Sequence, residues 1–371
     1  MNTLIRGAML GLLACPLLAM ADYTVVQITP MTGTQAATGK LLTEGASLVF
    51  KELNEKGGIA GQKIRYVVQD DAYKPDETVR LLKQVAAEKP VALLGLTGTA
   101  NVNAALESGA LEQLGVPVVG AYTGATMIRE KKHPQIFHLR ASYAAEVEKL
   151  VEMATTVGQQ KIAVLHQNDG FGQDGLAQVK KSLAARKLAP VAVASYERGT
   201  TQMGPAVEAL AKADAAAIIM ISSTVATSAF VKGYREKGGF AQLYTLSVNS
   251  ERDIVATVGP QSHGLGISQV FPVPSGGKMP MTRDYLALLK KHAPDAKPSE
   301  GSLEGYVYAR VLVEAMRRAG AKAGDPAAIT KALESAPFDL GGFTVSFAPG
   351  QHEGSNYVEL TMLNRNGELV R

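Results

Sequence analysis

The chain has 371 residues, 46% of them hydrophobic and 19% charged, and carries a net charge of +4. That length buries a large core and points to about two domains. Lys and Arg are interleaved with Asp and Glu, which excludes the basic stripe of a nucleic-acid binder, and the one cysteine, Cys15, excludes a disulfide framework.

Residues 1–21 read as a secretory signal. Arg6 precedes an apolar run from Gly7 to Leu18, and Ala19-Met20-Ala21 forms an A-x-A cleavage site that makes Asp22 the mature start. Leu12-Leu13-Ala14-Cys15 offers lipidation at Cys15 as an alternative, against which the apolar residues beyond it argue. No later segment approaches the roughly 20 apolar residues of a spanning helix. The mature chain is therefore expected to be a soluble periplasmic protein without thiol chemistry.

From Tyr23 the pattern alternates strand and helix. Strand Tyr23 to Ile28 is followed by helix Gly39 to Lys56, whose Leu41, Leu42, Ala46, Val49, Phe50 and Leu53 fall on one stripe and which ends at Gly57-Gly58. Strand Ile64 to Val68, helix Asp76 to Glu88, strand Val91 to Leu94, helix Asn101 to Leu114 and strand Pro117 to Val119 continue the series. Near Phe137 to Ser142 it restarts, with helices at 145–157, 174–186, 203–211 and 224–237 and strands at 161–166, 191–196, 215–221 and 243–246. A strand near Gly266 to Val270, the Pro/Gly-rich segment Pro272 to Pro280 and helices at 283–292, 300–319 and 326–335 follow. Gly342 to Phe347 and Tyr357 to Leu363 read as a terminal hairpin. Repeated βα units imply the α/β class, here two similar lobes, each a doubly wound parallel sheet with helices on both faces.

The stretch Val91 to Asn101, VALLGLTGTAN, is read as buried strand, loop and helix. Its loop sets backbone N–H groups and the hydroxyls of Thr97 and Thr99 beside the positive end of a helix, a small anion site. A carboxylate is expected rather than a triphosphate, because the lysine, the metal-binding Ser or Thr and the glycine spacing of a nucleotide loop are missing. Gly33 to Lys40, GTQAATGK, fails the same test, with Thr34 and Leu41 at positions that need glycine and Ser or Thr. The six histidines show no metal-binding spacing, and no nucleophile elbow or dinucleotide fingerprint occurs. Asp70-Asp71, at a strand end, is expected to hydrogen-bond loops rather than hold a metal. No cofactor, metal or catalytic residue is expected.

Asn54 to Ile64, NEKGGIAGQKI, running into Asp70-Asp71, resembles the type I periplasmic binding proteins of ABC importers, nearest to the leucine/isoleucine/valine-binding family. Pro30 to Gly33, Leu94 to Thr99, Val116 to Val119 and His166 to Gly172 fit the same pattern in order, and the likeness covers the whole mature chain. It implies a hinge of three crossings, with lobe 1 formed by residues 22–140 and 265–340 and lobe 2 by residues 141–264 and 341–371. It also implies a ligand in the cleft, at the carboxyl ends of the strands. Carried over by position, the carboxylate of an amino acid falls to Thr99, with Thr97 and Gly98 beside it, and to Tyr122-Thr123; the second lobe's aromatic ring falls on Phe171.

The family's tyrosine at the corresponding strand end of lobe 2 is replaced by Ser222-Ser223, and its ammonium-pairing glutamate by Ser247. A buried ammonium without a counter-charge costs several kcal/mol. Either another acid serves, Glu251 or Asp71, or the ligand is not an α-amino acid. The resemblance thus implies a non-catalytic, monomeric receptor for a small carboxylate, of branched-chain amino-acid type, partnered by an inner-membrane ABC permease. The alternatives are a non-amino acid such as an aromatic carboxylate, or a sensory partner of a membrane receptor. Tyr73 is a further cleft candidate, whereas helix capping would equally explain Thr97, Thr99, Ser223 and Ser247.

Overall fold

The computed structural model of the protein describes residues 22–274 and 277–371. Residues 1–21, read from sequence as a secretory signal and holding Cys15, and two residues of the Pro272 to Pro280 segment, lie outside the described residues.

The first lobe runs β1 (Tyr23–Thr29), α1 (Ala36–Glu55), β2 (Ile64–Asp70), α2 (Pro75–Val85), β3 (Ala92–Leu94), α3 (Thr99–Glu107), α4 (Ala110–Leu114), β4 (Val118–Val119), α5 (Thr126–Arg129) and β5 (Ile136–Phe137). Its five strands form a parallel sheet in the order β2-β1-β3-β4-β5. The second lobe follows with α6 (Tyr143–Thr156), β6 (Ile162–Gln167), α7 (Gly170–Ala185), β7 (Ala192–Tyr196), α8 (Gly204–Ala211), β8 (Ala217–Ile221), α9 (Thr224–Glu236), β9 (Gln242–Thr245), α10 (Glu251–Val258) and β10 (Gly266–Gln269). The chain then returns to the first lobe with α11 (Pro280–His292), α12 (Glu300–Ala319) and α13 (Pro326–Leu333), and ends with β11 (Phe338–Asp339), β12 (Thr344–Val345), β13 (Glu359–Leu363) and β14 (Leu369–Val370). The second sheet reads β7-β6-β8-β9-β10-β13-β14. Its first five strands repeat the order of the first lobe, and β13 and β14 are antiparallel additions.

Strands covered on both faces need no polar alternation. Accordingly β1, YTVVQIT, and β8, AIIMI, are buried throughout. Each fully buried Val, Leu or Ile contributes about 1.5–3 kcal/mol. Helix α1 presents Leu41, Leu42, Leu48, Val49 and Leu53 to the core and lies against α12. The two backbones touch: a Cβ on Gly45 would stand 1.7 Å from the Ser302 carbonyl oxygen, and one on Gly305 2.0 Å from that of Leu42. No larger residue fits either position.

The chain crosses between lobes after β5, after β10 and between β12 and β13. The first and third crossings are tied side by side, since His138 N–H donates to the His352 carbonyl at 2.8 Å and Gly354 N–H to that of His138 at 2.7 Å. Arg129 fastens them further, donating to the carbonyls of Arg140 and Ala141 and pairing with Glu353.

Several expectations are corrected. The terminal hairpin is not 342–347 with 357–363: β12 pairs with β11, and β13 pairs with β10 and with β14 across the Asn366-Gly367 turn. The third crossing occupies the space between the two segments, so they never meet. Strand β10, grouped from sequence with lobe 1, lies beside β9 in the second sheet. The helix expected over 101–114 breaks at Ser108-Gly109, where Gly109 takes φ +68°. The helix expected from 174 begins at Gly170, because Asp169 caps this first turn of α7, accepting from the N–H groups of Phe171 and Gly172. Helix α10 was not anticipated.

Candidate functional site

The loops after β3 and β4 are paired at their tips. Tyr122 N–H donates to the Leu96 carbonyl at 2.7 Å and Gly98 N–H to the Tyr122 carbonyl at 3.1 Å, which sets residues 97–99 against Tyr122-Thr123. Gly98 has φ +99°, and a Cβ there would lie 2.5 Å from the Tyr73 ring. It is also the N-cap of α3 and brings no side chain to the cap, so the first N–H groups of that helix have no side-chain acceptor. The Thr97 hydroxyl is hydrogen-bonded to that of Thr29 at 2.8 Å, and the Thr99 hydroxyl to that of Thr123 at 2.7 Å.

These groups form one wall of a small cavity of about 20 Å³ between the lobes, lined by Gln35, Tyr73, Thr97, Gly98, Thr99, Tyr122, Tyr143, Phe171 and Val248. The rings of Tyr143 and Phe171 meet at 5.2 Å, tilted by 56°. Burial pushes the phenols of Tyr73, Tyr122 and Tyr143 up, so all three are neutral donors. Among the described residues, no acidic side chain belongs to the wall. Larger spaces lie elsewhere, for example beside Arg129, His133 and His352. Only this cavity among those named lies at the carboxyl ends of strands from both sheets, where open α/β sheets take ligands.

Of the residues singled out from sequence, Thr97, Gly98, Thr99, Tyr122 and Phe171 are brought together in the wall, as is Tyr73. Thr123 stands behind Thr99 and orients its hydroxyl. Ser223 is buried outside the wall, its N–H donating to the Tyr196 hydroxyl at 3.0 Å. Ser247 is also outside it: its hydroxyl accepts from Arg140 and its N–H donates to Glu146 at 2.9 Å. Gln35, Tyr143 and Val248 were missed. Tyr143 follows Ser142, the side-chain cap of α6, and its place directly after a crossing was the available signal.

Asp70 and Asp71 hold the neighbouring turn. Asp70 accepts from the N–H groups of Met31 and Ala72 and from Thr32, while Asp71 accepts from Tyr73 N–H, Thr78 and Asn101. Burial pushes the Asp71 carboxyl up despite these donors. Among the described residues, one partly buried group, Glu52, Glu55 and His292, has metal-ligand spacing, and Lys291 already pairs with both of its carboxylates.

Behind Tyr122, at the floor of the cleft, Arg140 is wholly buried, with Glu146 at 3.9 Å and Glu304 at 3.7 Å. Burial disfavours its cation, yet Glu304, Tyr122 and Glu146 outweigh that and hold its pKa well above the usual value. Burial likewise raises Glu304, which accepts from the Tyr308 hydroxyl. Arg140 comes from the first crossing, Glu146 from lobe 2 and Glu304 from α12, so the cluster joins all three parts of the chain.

A family model described as periplasmic binding protein matches residues 22–368. A solved substrate-binding periplasmic protein from Ralstonia solanacearum is 38% identical, covers 94% of this chain and 99% of its own, and superposes with a TM-score of 0.90. A curated relative from Brucella suis, named Leu/Ile/Val-binding protein homolog 7, is 24% identical over 91% of this chain and 87% of its own length. A solute-binding protein of an ABC transporter from R. palustris, solved with benzoate, shares the fold at 18% identity and a TM-score of 0.83, covering 94% of this chain and 95% of its own.

Proposed function

Since the chain belongs to the periplasmic binding protein family, we propose that it is the substrate-binding component of an ABC importer and holds one small carboxylate solute between its lobes. The observation that carries this reading is the contrast between the two helices facing the cavity. Helix α7 has its N-terminal N–H groups filled by its own Asp169, whereas α3 opens on the cavity with no side-chain cap and with the hydroxyls of Thr97 and Thr99 beside it. A carboxylate supplies the missing acceptor and the missing negative charge.

In this reading the first lobe takes the anion at Thr97, Gly98, Thr99 and Tyr122, and closure brings Phe171 and Tyr143 over the rest of the molecule. Ser223 acts at a distance, through Tyr196 and Gln167, on the Asp169 cap that carries Phe171. Ser247 acts through Arg140, which packs on Tyr122. Four aromatic rings and no acid in the wall favour a carboxylate without an ammonium group, such as a single-ring aromatic acid. The name of the Brucella relative supports the second reading, a branched-chain amino acid. That ligand would need Asp71 to leave Tyr73 N–H and Thr78 and turn to its ammonium. Residues 1–21 would direct export to the periplasm, and the partner would be an inner-membrane permease receiving the monomeric, closed form.

Thermal-shift screening of leucine, valine, benzoate and hydroxybenzoates tests the reading, since a ligand that binds the native state raises the midpoint with its concentration. A carboxylate should raise it at micromolar to millimolar levels, with the neutral amides of the same acids inert. A midpoint moved only by uncharged solutes would overturn it.

A further inference from the structure

Resting on the reading of the cleft as the ligand site, we propose that Arg198 is a positioning residue that holds the lobes closed over the ligand without touching it, and that Asp174, on α7, does the same. Arg198 belongs to the second lobe, just past β7, where Asp169 flanks it at 3.5 Å. Its bonds go across the cleft: it donates to the Tyr73 carbonyl and, at 2.7 Å, to the Asn101 side-chain oxygen, and its guanidinium lies 3.8 Å from the Tyr73 ring centroid. The receiving side is rigid. Ala72 and Tyr73 both take positive φ, +47° and +62°, held by the Asp70 and Asp71 carboxylates, and this turns the Tyr73 carbonyl toward the second lobe. Asn101 cannot swing, because its amide nitrogen is donated to Asp71 and Thr78.

The Tyr73 ring is thus clamped between Arg198 and Gly98, and it lines the cavity. Arg198 therefore fixes a wall residue while contributing none of its own atoms to the wall. Asp174, on α7, is the counterpart: its carboxylate accepts from the N–H groups of Thr126 and Met127 at 3.1 and 3.0 Å, at the start of α5 in the first lobe. Both sets of bonds exist only when the lobes meet. Interactions made in one state alone shift the population toward that state and slow its opening. A planar, forked cation is also the group best suited to stack and donate at once, which lysine does not reproduce.

The test uses the chain from Asp22 onward, which has no cysteine, carrying spin labels at Gln113→Cys and Lys212→Cys, one exposed site on each lobe. Dissociation rates are measured for benzoate and for leucine, and interlobe distances by pulsed dipolar spectroscopy with and without each probe. Charge-assisted bonds lost from the closed state should raise the dissociation rate of the bound probe about 10-fold in Arg198→Ala, leave its association rate within about 3-fold, and shrink the short-distance population. Arg198→Lys should fall between, and Asp174→Asn should move the same quantities in the same direction. An unchanged dissociation rate in both Arg198→Ala and Asp174→Asn overturns the proposal, as does a loss carried by slower association. If neither probe binds the wild type, benzoate and leucine are excluded as ligands, and the ligand-free distance distributions decide the latch: Arg198→Ala must open the lobes relative to wild type, and identical distributions overturn it.

Discussion

The guanidinium of Arg140 lies over the ring of Tyr122, 4.5 Å from its centroid, so the buried charge at the hinge and the wall of the cleft are one contact. Around it stand Glu146 and Glu304, also buried, from the two parts of the chain that the hinge joins. Removing one member of such a cluster leaves the others as uncompensated buried charges, which costs more than the cluster itself contributes.

Arg140→Met should therefore destabilise the protein by about 3–5 kcal/mol, read as a fall in the urea midpoint. Adding Glu146→Gln and Glu304→Gln to that variant should recover a large part of the loss. A single variant within about 1 kcal/mol of wild type would show that the acids are neutral without the arginine.

Thr99→Val keeps the shape of the wall but removes the hydroxyl that Thr123 orients. Losing one hydrogen bond to a charged ligand is expected to weaken binding about 10-fold or more. The double variant Thr99→Ala with Tyr122→Ala should lose most of the affinity for the acid found by thermal shift. Calorimetry gives both numbers, and unchanged affinity in the double variant would remove the carboxylate from this wall.

Burial holds His138 well below its ordinary value of 6.5, with Arg129 and His352 acting in the same direction. Unfolding restores the ordinary value, so below it the unfolded chain binds more protons than the native one. Stability is then greatest above the ordinary value and falls as pH drops through it, by up to about 1.4 kcal/mol per pH unit from this group. Urea unfolding at about pH 7.5 and about pH 5.5 should show a smaller loss in His138→Gln than in wild type. Equal losses would mean that His138 is protonated in the native state.

Much of this architecture was legible in the residues. Stripes such as Leu41, Val49 and Leu53 and fully apolar strands such as 217–221 follow from local periodicity, and the loop at 95–99 announced itself by small and hydroxylated residues at a strand end. What failed depended on partners distant in sequence. Glu359–Leu363 has a strand pattern, yet its choice of β10 over Thr344–Val345 follows from where the third crossing runs. The Asn366-Gly367 turn was the local signal for its true hairpin. Tyr143 reaches the cavity because the first crossing delivers it there, and Val248 because it follows β9 at the carboxyl end of the second sheet. Nothing local distinguishes Arg198 from other loop cations, because its partners Tyr73 and Asn101 lie in the other lobe.

The most direct measurement is a calorimetric pair: the carboxylic acid that gives the largest thermal shift, titrated beside its own neutral amide. If α3 and the two threonines cradle a carboxylate, the acid binds one to one and the amide about 10- to 100-fold more weakly. Equal affinity for acid and amide would contradict the assignment of the anion to Thr97, Gly98 and Thr99.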